Sequence, residues 1–223
     1  MCEQGLMLMG EFFDHVSATY DEVHSSHIDR AEEYYAALAD QVTATSSPVA
    51  VLDIGCGSGL ELEGIFRKLP DARVHCVDLS RKLMDKLLHR YAHKEITPHL
   101  ESYLTYSYPL GQFKYIVASA TLHHLLDDEK RELYPKLRHA LTADGCLIVG
   151  DYFVSSETAD ECLERYRALL SKGVDLTRGR YHFDIPTTVD NERKILVEAG
   201  FLSVDIVWQS SNFSVLTARP APN

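Results

Sequence analysis

The chain has 223 residues, 45% of them hydrophobic, enough to bury one substantial core. Its formal net charge is −11 at pH 7 and it contains no long basic run. A nucleic-acid partner is therefore disfavoured, because phosphates need clustered Lys and Arg.

Residues 12–42 are helical in character, with Ser25-Ser26 dividing two helices, and a Thr/Ser/Pro stretch over 43–48 leads into a first strand at 49–54. Strands and helices then alternate: helix 60–68, strand 73–78, helix 81–89, strand 96–103, strand 114–119, helix 128–140 and strand 145–151. Pro98 weakens the third strand, since proline cannot donate to a ladder. Residues 152–190 hold a helix (158–170) and a polar loop that the core alternation does not need. A helix over 191–199 ends at Gly200, and strands 201–208 and 212–217 flank a tight turn at 209–211. Such alternation predicts an α/β fold with a parallel sheet covered on both faces. Ligands of such sheets bind beyond the carboxyl ends of the strands, which places Gly55, Asp78, Ser102 and Ser119 on one rim.

The segment Val51-Leu52-Asp53-Ile54-Gly55-Cys56-Gly57-Ser58-Gly59-Leu60-Glu61 carries the most information. An apolar strand stops at glycines placed on alternate positions, and a helix follows, offering unpaired N–H groups to a polar ligand. A dinucleotide fingerprint would place a glycine where Leu60 stands. Asp53 would also repel a pyrophosphate, whereas it suits a ligand bearing an ammonium or sulfonium. Val74-His75-Cys76-Val77-Asp78-Leu79 then reads as a second strand ending in an acid. Asp78 lies about twenty residues beyond the loop, where a carboxylate can accept both hydroxyls of a ribose.

With these residues the chain resembles the class I S-adenosylmethionine-dependent methyltransferases, whose first motif looks like VLDIGCGSG and whose second strand ends in such an acid. The C-terminal hairpin extends the resemblance over nearly the whole chain. It implies a Rossmann-like, seven-stranded, mostly parallel sheet with helices on both faces and a C-terminal antiparallel hairpin. It implies S-adenosylmethionine (SAM) as cofactor, S-adenosylhomocysteine (SAH) as product, and a small-molecule methyl acceptor. The cofactor site then falls on Asp53, Gly55, Cys56, Gly57, Asp78 and Leu79. At the adenine position the family's acid is replaced by Ser102, with Glu101 and Tyr103 beside it; Tyr103 packs either on the adenine or on the core.

Ser119-Ala120-Thr121-Leu122-His123-His124-Leu125 resembles an S-x-x-x-H-H-L stretch of the small-molecule branch, beneath the reactive sulfonium. His123 is either a structural histidine or a general base, and His124 belongs to the cofactor pocket without assigned chemistry. Phe12-Phe13-Asp14 and Tyr20-Asp21 resemble an N-terminal lid, in which Tyr20 is placed near the methionine end and Phe12 and Phe13 read as packing. Arg178 and Arg180 either pair an anionic group of the substrate or are solvated loop charges.

His24/His27 and His89/His93 each share a helix face but have no third ligand at a recognisable spacing, so no metal is expected. The five cysteines, Cys2 among them, form no C-x-x-C pair. Free buried thiols, the missing signal-peptide order and the lack of an apolar run of about 18 residues point to a cytoplasmic protein without membrane attachment. The expected organisation is one methyltransferase domain over 1–223: a helical lid (1–47), a cofactor core (48–151), a substrate-side insertion (152–190) and a C-terminal helix and hairpin (191–223). Monomer and homodimer both remain open. Three rival readings stand: a nicotinamide-dependent oxidoreductase, a protein of this fold that binds the cofactor without methyl transfer, and an enzyme that modifies SAM itself.

Overall fold

The computed structural model describes residues 6–221; Cys2 lies outside them. Seven strands form one sheet: β1 (Ala50–Ile54), β2 (Arg73–Asp78), β3 (Glu95–Leu100), β4 (Phe113–Ser119), β5 (Leu141–Tyr152), β6 (Phe201–Gln209) and β7 (Phe213–Pro220). Their order is β3-β2-β1-β4-β5-β7-β6. The first five are mutually parallel, and β7 runs antiparallel to both β5 and β6. The mostly parallel sheet with a C-terminal hairpin is the architecture that the alternation and the resemblance imply.

Strand residues alternate between two cores. Leu52, Ile54, Ile116, Ala118, Leu147 and Val149 face α6 (Asp127–Ala140) and α8 (Val189–Glu198). Val51, Tyr115, Val117, Cys146 and Ile148 face α3 (Ala31–Asp40), α4 (Leu62–Lys68) and α5 (Arg81–Arg90). The near-continuous apolar runs of these strands follow from burial on both faces. Three helices start at hydroxyl caps. Ser80 Oγ accepts from Leu83 N–H at α5, Ser155 Oγ from Thr158 N–H at α7 (Ser156–Leu170), and Thr188 Oγ from Asn191 N–H at α8.

The observed elements depart from expectation chiefly in three places. Among the described residues up to 42 there are three helices, α1 (Met9–Val16), α2 (Tyr20–His27) and α3. Ser25 and Ser26 lie inside α2; the break before α3 falls at extended Ile28 and left-handed Arg30 (φ 60°). The third strand ends at Leu100, because Ser102 begins a turn whose carbonyl accepts from the N–H groups of Thr105 and Tyr106. Pro98 is accommodated because β3 pairs only with β2 at the sheet edge. The fifth strand begins directly after α6, at Leu141.

Among the described residues no helix is long and apolar enough to cross a membrane. Cys56, Cys76 and Cys146 are buried free thiols, and Cys162 is half-buried and free. β1 lies between β2 and β4, so the chain's crossovers leave it in opposite directions, and the crevice opens beyond its carboxyl end.

Candidate active site

Two cavities open beyond that end. One, with about 550 Å³ of empty space, is lined by Met9, Phe13, Tyr20, Gly55, Gly57, Asp78, Leu79, Leu83, Ser102, Tyr103, Ala120, Thr121, His124 and Arg180. The other, larger at about 1280 Å³ and more open, has walls that include Phe12, Val23, His24, His27, His123, Tyr152, His182, Asp184 and Phe213. Both walls contain Phe13, Tyr20, Ala120 and His124.

The glycine loop forms the floor of the first cavity. Gly55 has φ +65°, and a Cβ there would lie 2.1 Å from Thr121 Oγ1, so both the backbone and its close neighbour demand glycine. Gly57 N–H donates to Asp78 Oδ2 at 2.8 Å, and Ser80 N–H donates to Asp78 Oδ1 at 2.7 Å. Each oxygen keeps a lone pair for a further donor. Burial raises the Asp78 pKa above the usual carboxylate value, despite those N–H donors. Ser102 heads its turn with Oγ accepting from Leu104 N–H. Tyr103 donates to the Thr121 carbonyl, tying the β3 and β4 rims together.

Asp53, Cys56 and Ser119 lie behind this wall. Asp53 is fully buried, and neither of its oxygens has an N–H or O–H partner among the described residues. Its neighbour is the buried Glu61 carboxyl. Burial and the Glu61 charge push Asp53 well above the carboxylate range, and burial also raises Glu61. The acid of the first motif thus faces a second acid rather than the cavity. Cys56 is buried against Cys76. Ser119 Oγ meets Tyr34 Oη at 2.9 Å.

After β4 the chain turns through Ala120, a non-glycine residue at φ +48°. This strained position stands on the walls of both cavities. His123 and His124 follow in a short 3-10 turn, Leu122–His124. Asp151 at the end of β5 is 1% exposed and accepts four hydrogen bonds: from the N–H groups of Leu122, His123 and Tyr152, and from the His123 ring at 2.6 Å. Burial works to lower the His123 pKa, but the Asp151 charge and hydrogen bond outweigh it and raise it. His124 is held low by burial and by the neighbouring His123 charge.

The N-terminal segment and the insertion close over this rim together. Leu8 bridges Tyr181, Met9 N–H donates to the Arg180 carbonyl, and His182 N–H donates to the Met7 carbonyl. Phe12 stacks on His182 with ring centroids 3.6 Å apart. Phe12 and Phe13, read from sequence as packing, therefore line the cavities. His24, read as solvated, stacks on Tyr20 at 4.9 Å and faces the second cavity; His89 and His93 are exposed. Arg178 is exposed outside both walls. Arg180 lines the first cavity, with its guanidinium committed to Glu129 and the His124 carbonyl.

Sequence reasoning missed His182 and Asp184. Their signal lay in the polar stretch around Arg180, where only the arginines drew notice. Ile185 N–H donating to the His123 carbonyl at 2.7 Å brings that stretch to the rim.

A methyltransferase-domain family profile matches residues 52–147, from β1 into β5. An uncharacterized methyltransferase of Bacillus pumilus is 23% identical over 205 residues, covering 88% of this chain and 92% of the relative. A carboxy-S-adenosyl-L-methionine synthase of Campylobacter hominis is 24% identical over 226 residues and 94% of each chain. Among solved structures, the DhpI–SAH complex superposes with a TM-score of 0.71 at 18% identity, covering 96% of this chain and 95% of that one.

Proposed function

Because the chain belongs to the class I SAM-dependent methyltransferases, we propose that it transfers a methyl group to a small molecule seated in the second cavity. The observation that carries this reading is the shared wall. Phe13, Tyr20, Ala120 and His124 face both spaces, so a cofactor in the first can meet an acceptor in the second without either leaving its site.

The residues present fit the cofactor. Asp78 retains lone pairs for two ribose hydroxyls, the glycine loop admits close approach, and Tyr20 and Phe13 supply aromatic faces beside the junction. When bound, SAM supplies a methyl group already electrophilic on its sulfonium. The chain's task is then orientation and exclusion of water. The stitched N-terminal segment and insertion cover the junction, while Asp151 fixes the His123 ring against the acceptor space. The largely aromatic and histidine walls of the second cavity favour a compact, partly apolar acceptor over a polymer.

A second reading is modification of SAM itself. Arg180 on the first cavity's wall and the likeness to a carboxy-S-adenosyl-L-methionine synthase favour it. The commitment of Arg180 to Glu129 and a backbone carbonyl counts against a free anion site.

The test is incubation with methyl-labelled SAM and a fractionated cell extract. Label in the small-molecule fraction with matching SAH supports the proposal. Label only in protein or nucleic acid, or no SAH, overturns it. A mass change in the cofactor without transferred label supports the second reading.

A further inference from the structure

At the junction of the cavities three side chains converge on one point. His123 Nε2 lies 3.6 Å and His124 Nδ1 3.2 Å from the same oxygen of Asp184, Oδ1. One ligating atom from each residue falls within 4.8 Å of the others. His182 Nε2 stands 3.9 Å from that oxygen. Around a tetrahedral ion bound at about 2.0–2.2 Å, neighbouring ligand atoms lie about 3.3–3.6 Å apart. His123 and His124 stand from Asp184 Oδ1 at close to that spacing.

A second observation is independent of that spacing. The far nitrogen of His123, Nδ1, is bonded to the buried Asp151 carboxylate at 2.6 Å. That carboxylate is itself fixed by the N–H groups of Leu122, His123 and Tyr152. A carboxylate behind a histidine, setting its tautomer and aiming the other nitrogen, is the support that metal-ligating histidines have. His124 Nδ1 also lies 3.1 Å from the Phe183 carbonyl, the hydrogen bond that ligation would replace.

We infer that His123, His124 and Asp184, with His182 in reach, form a binding site for a divalent transition-metal ion. Two imidazoles and a carboxylate suit zinc, iron(II) or cobalt(II) and not calcium or magnesium, which take oxygen ligands. All four residues line the second cavity, so coordination positions left open by the protein are reached from it. On the methyl-transfer reading, this assigns the acceptor to small molecules with two adjacent oxygen donors, such as a catechol or a hydroxy acid. Such a molecule chelates the ion and is held with one oxygen at the junction. The sequence could not suggest this site, because its ligands come from the turn after β4 and from the distant insertion.

The experiment uses the full chain, stripped with a chelator and titrated with cobalt(II) while visible absorption is recorded. One equivalent per chain, with micromolar affinity and the intense bands of a low-coordinate site, is expected. Asp184→Asn and His123→Gln, which keeps a donor for Asp151, should each weaken binding at least tenfold. His89→Ala, at an exposed histidine outside the site, should bind as the parent does. Catechol added to the cobalt form should shift the bands. No stoichiometric binding, or binding undiminished in both ligand variants, overturns the site; an unshifted spectrum overturns the chelating-acceptor class. Calorimetric binding of SAH by the same samples separates the two readings: retained SAH binding without cobalt binding removes the metal site alone, whereas lost SAH binding in the parent chain removes the cofactor reading.

Discussion

Gly57 N–H donates to Asp78 Oδ2 at 2.8 Å, so the glycine loop after β1 and the acid that ends β2 hold each other in place without any ligand. The link pre-orders two parts of the cofactor cavity that come from neighbouring strands. It also explains how a half-buried carboxylate is held there, since Ser80 N–H satisfies its other oxygen.

The loop itself should be intolerant of a methyl group at its first glycine. In Gly55→Ala the new Cβ meets Thr121 Oγ1, and the residue stays at a positive φ. A loss of about 3 kcal/mol from strain and overpacking is expected in urea unfolding, together with loss of SAH binding. A stable variant with normal affinity would show that the loop does not need glycine there.

The buried pair beneath the loop makes a pH prediction. Asp53 and Glu61 both have folded pKa values raised above their unfolded ones, so the fold favours their protonated forms. The resulting penalty is absent below the unfolded pKa of about 4 and grows as pH rises towards the raised folded values. Asp53→Asn can donate to Glu61 without a titrating proton. Melting temperature should therefore fall less steeply in this variant than in the parent as pH rises from 5 to about 8. Parallel curves would contradict a raised pKa for the pair.

Between the helices on the opposite face, Lys130 Nζ lies 2.6 Å from Glu192 Oε2, both side chains almost wholly buried, and Tyr134 Oη bonds the other oxygen. Removing one partner leaves an uncompensated buried charge. Lys130→Met should lose about 3–5 kcal/mol in denaturant unfolding, and the double variant Lys130→Met/Glu192→Leu should recover much of that. Equal losses in single and double variants would assign the cost to packing.

The lid can be tested at Gly10 of α1, where a Cβ would lie 2.8 Å from the Leu79 carbonyl oxygen. Gly10→Ala must lift the helix from the cavity rim while leaving the sheet untouched. SAH affinity should fall about tenfold, or about 1.4 kcal/mol, with little change in melting temperature. Unchanged affinity would show that α1 contributes nothing to the cavity.

The sheet, the glycine loop and Asp78 were legible because local chemistry fixes them: apolar strand runs, glycines where the backbone turns, and an acid at a strand end. The lid was legible as helices over the cofactor with Tyr20 beside it, but Phe12 and Phe13 were not legible as cavity walls, because Phe12 stacking on His182 depends on a distant segment. Asp53 pointed correctly to the loop, yet the sequence did not show which way its carboxylate faces. Only the fold shows it fully buried beside Glu61, behind the cavity wall. The same limit hid Asp184, which reaches His123 and His124 through the fold of the insertion and not through any sequence spacing.

The most direct measurement is calorimetric titration of the full chain and its Asp78→Ala variant with SAM, SAH and NADH, with melting curves to confirm that both are folded. Micromolar binding of SAM and SAH alone is expected, weakened about a hundredfold or more in the variant, as two charge-assisted hydrogen bonds of about 1.5–3 kcal/mol each are lost. NADH binding, or SAH affinity unchanged without the Asp78 carboxylate, would contradict the assignment of this rim to the cofactor.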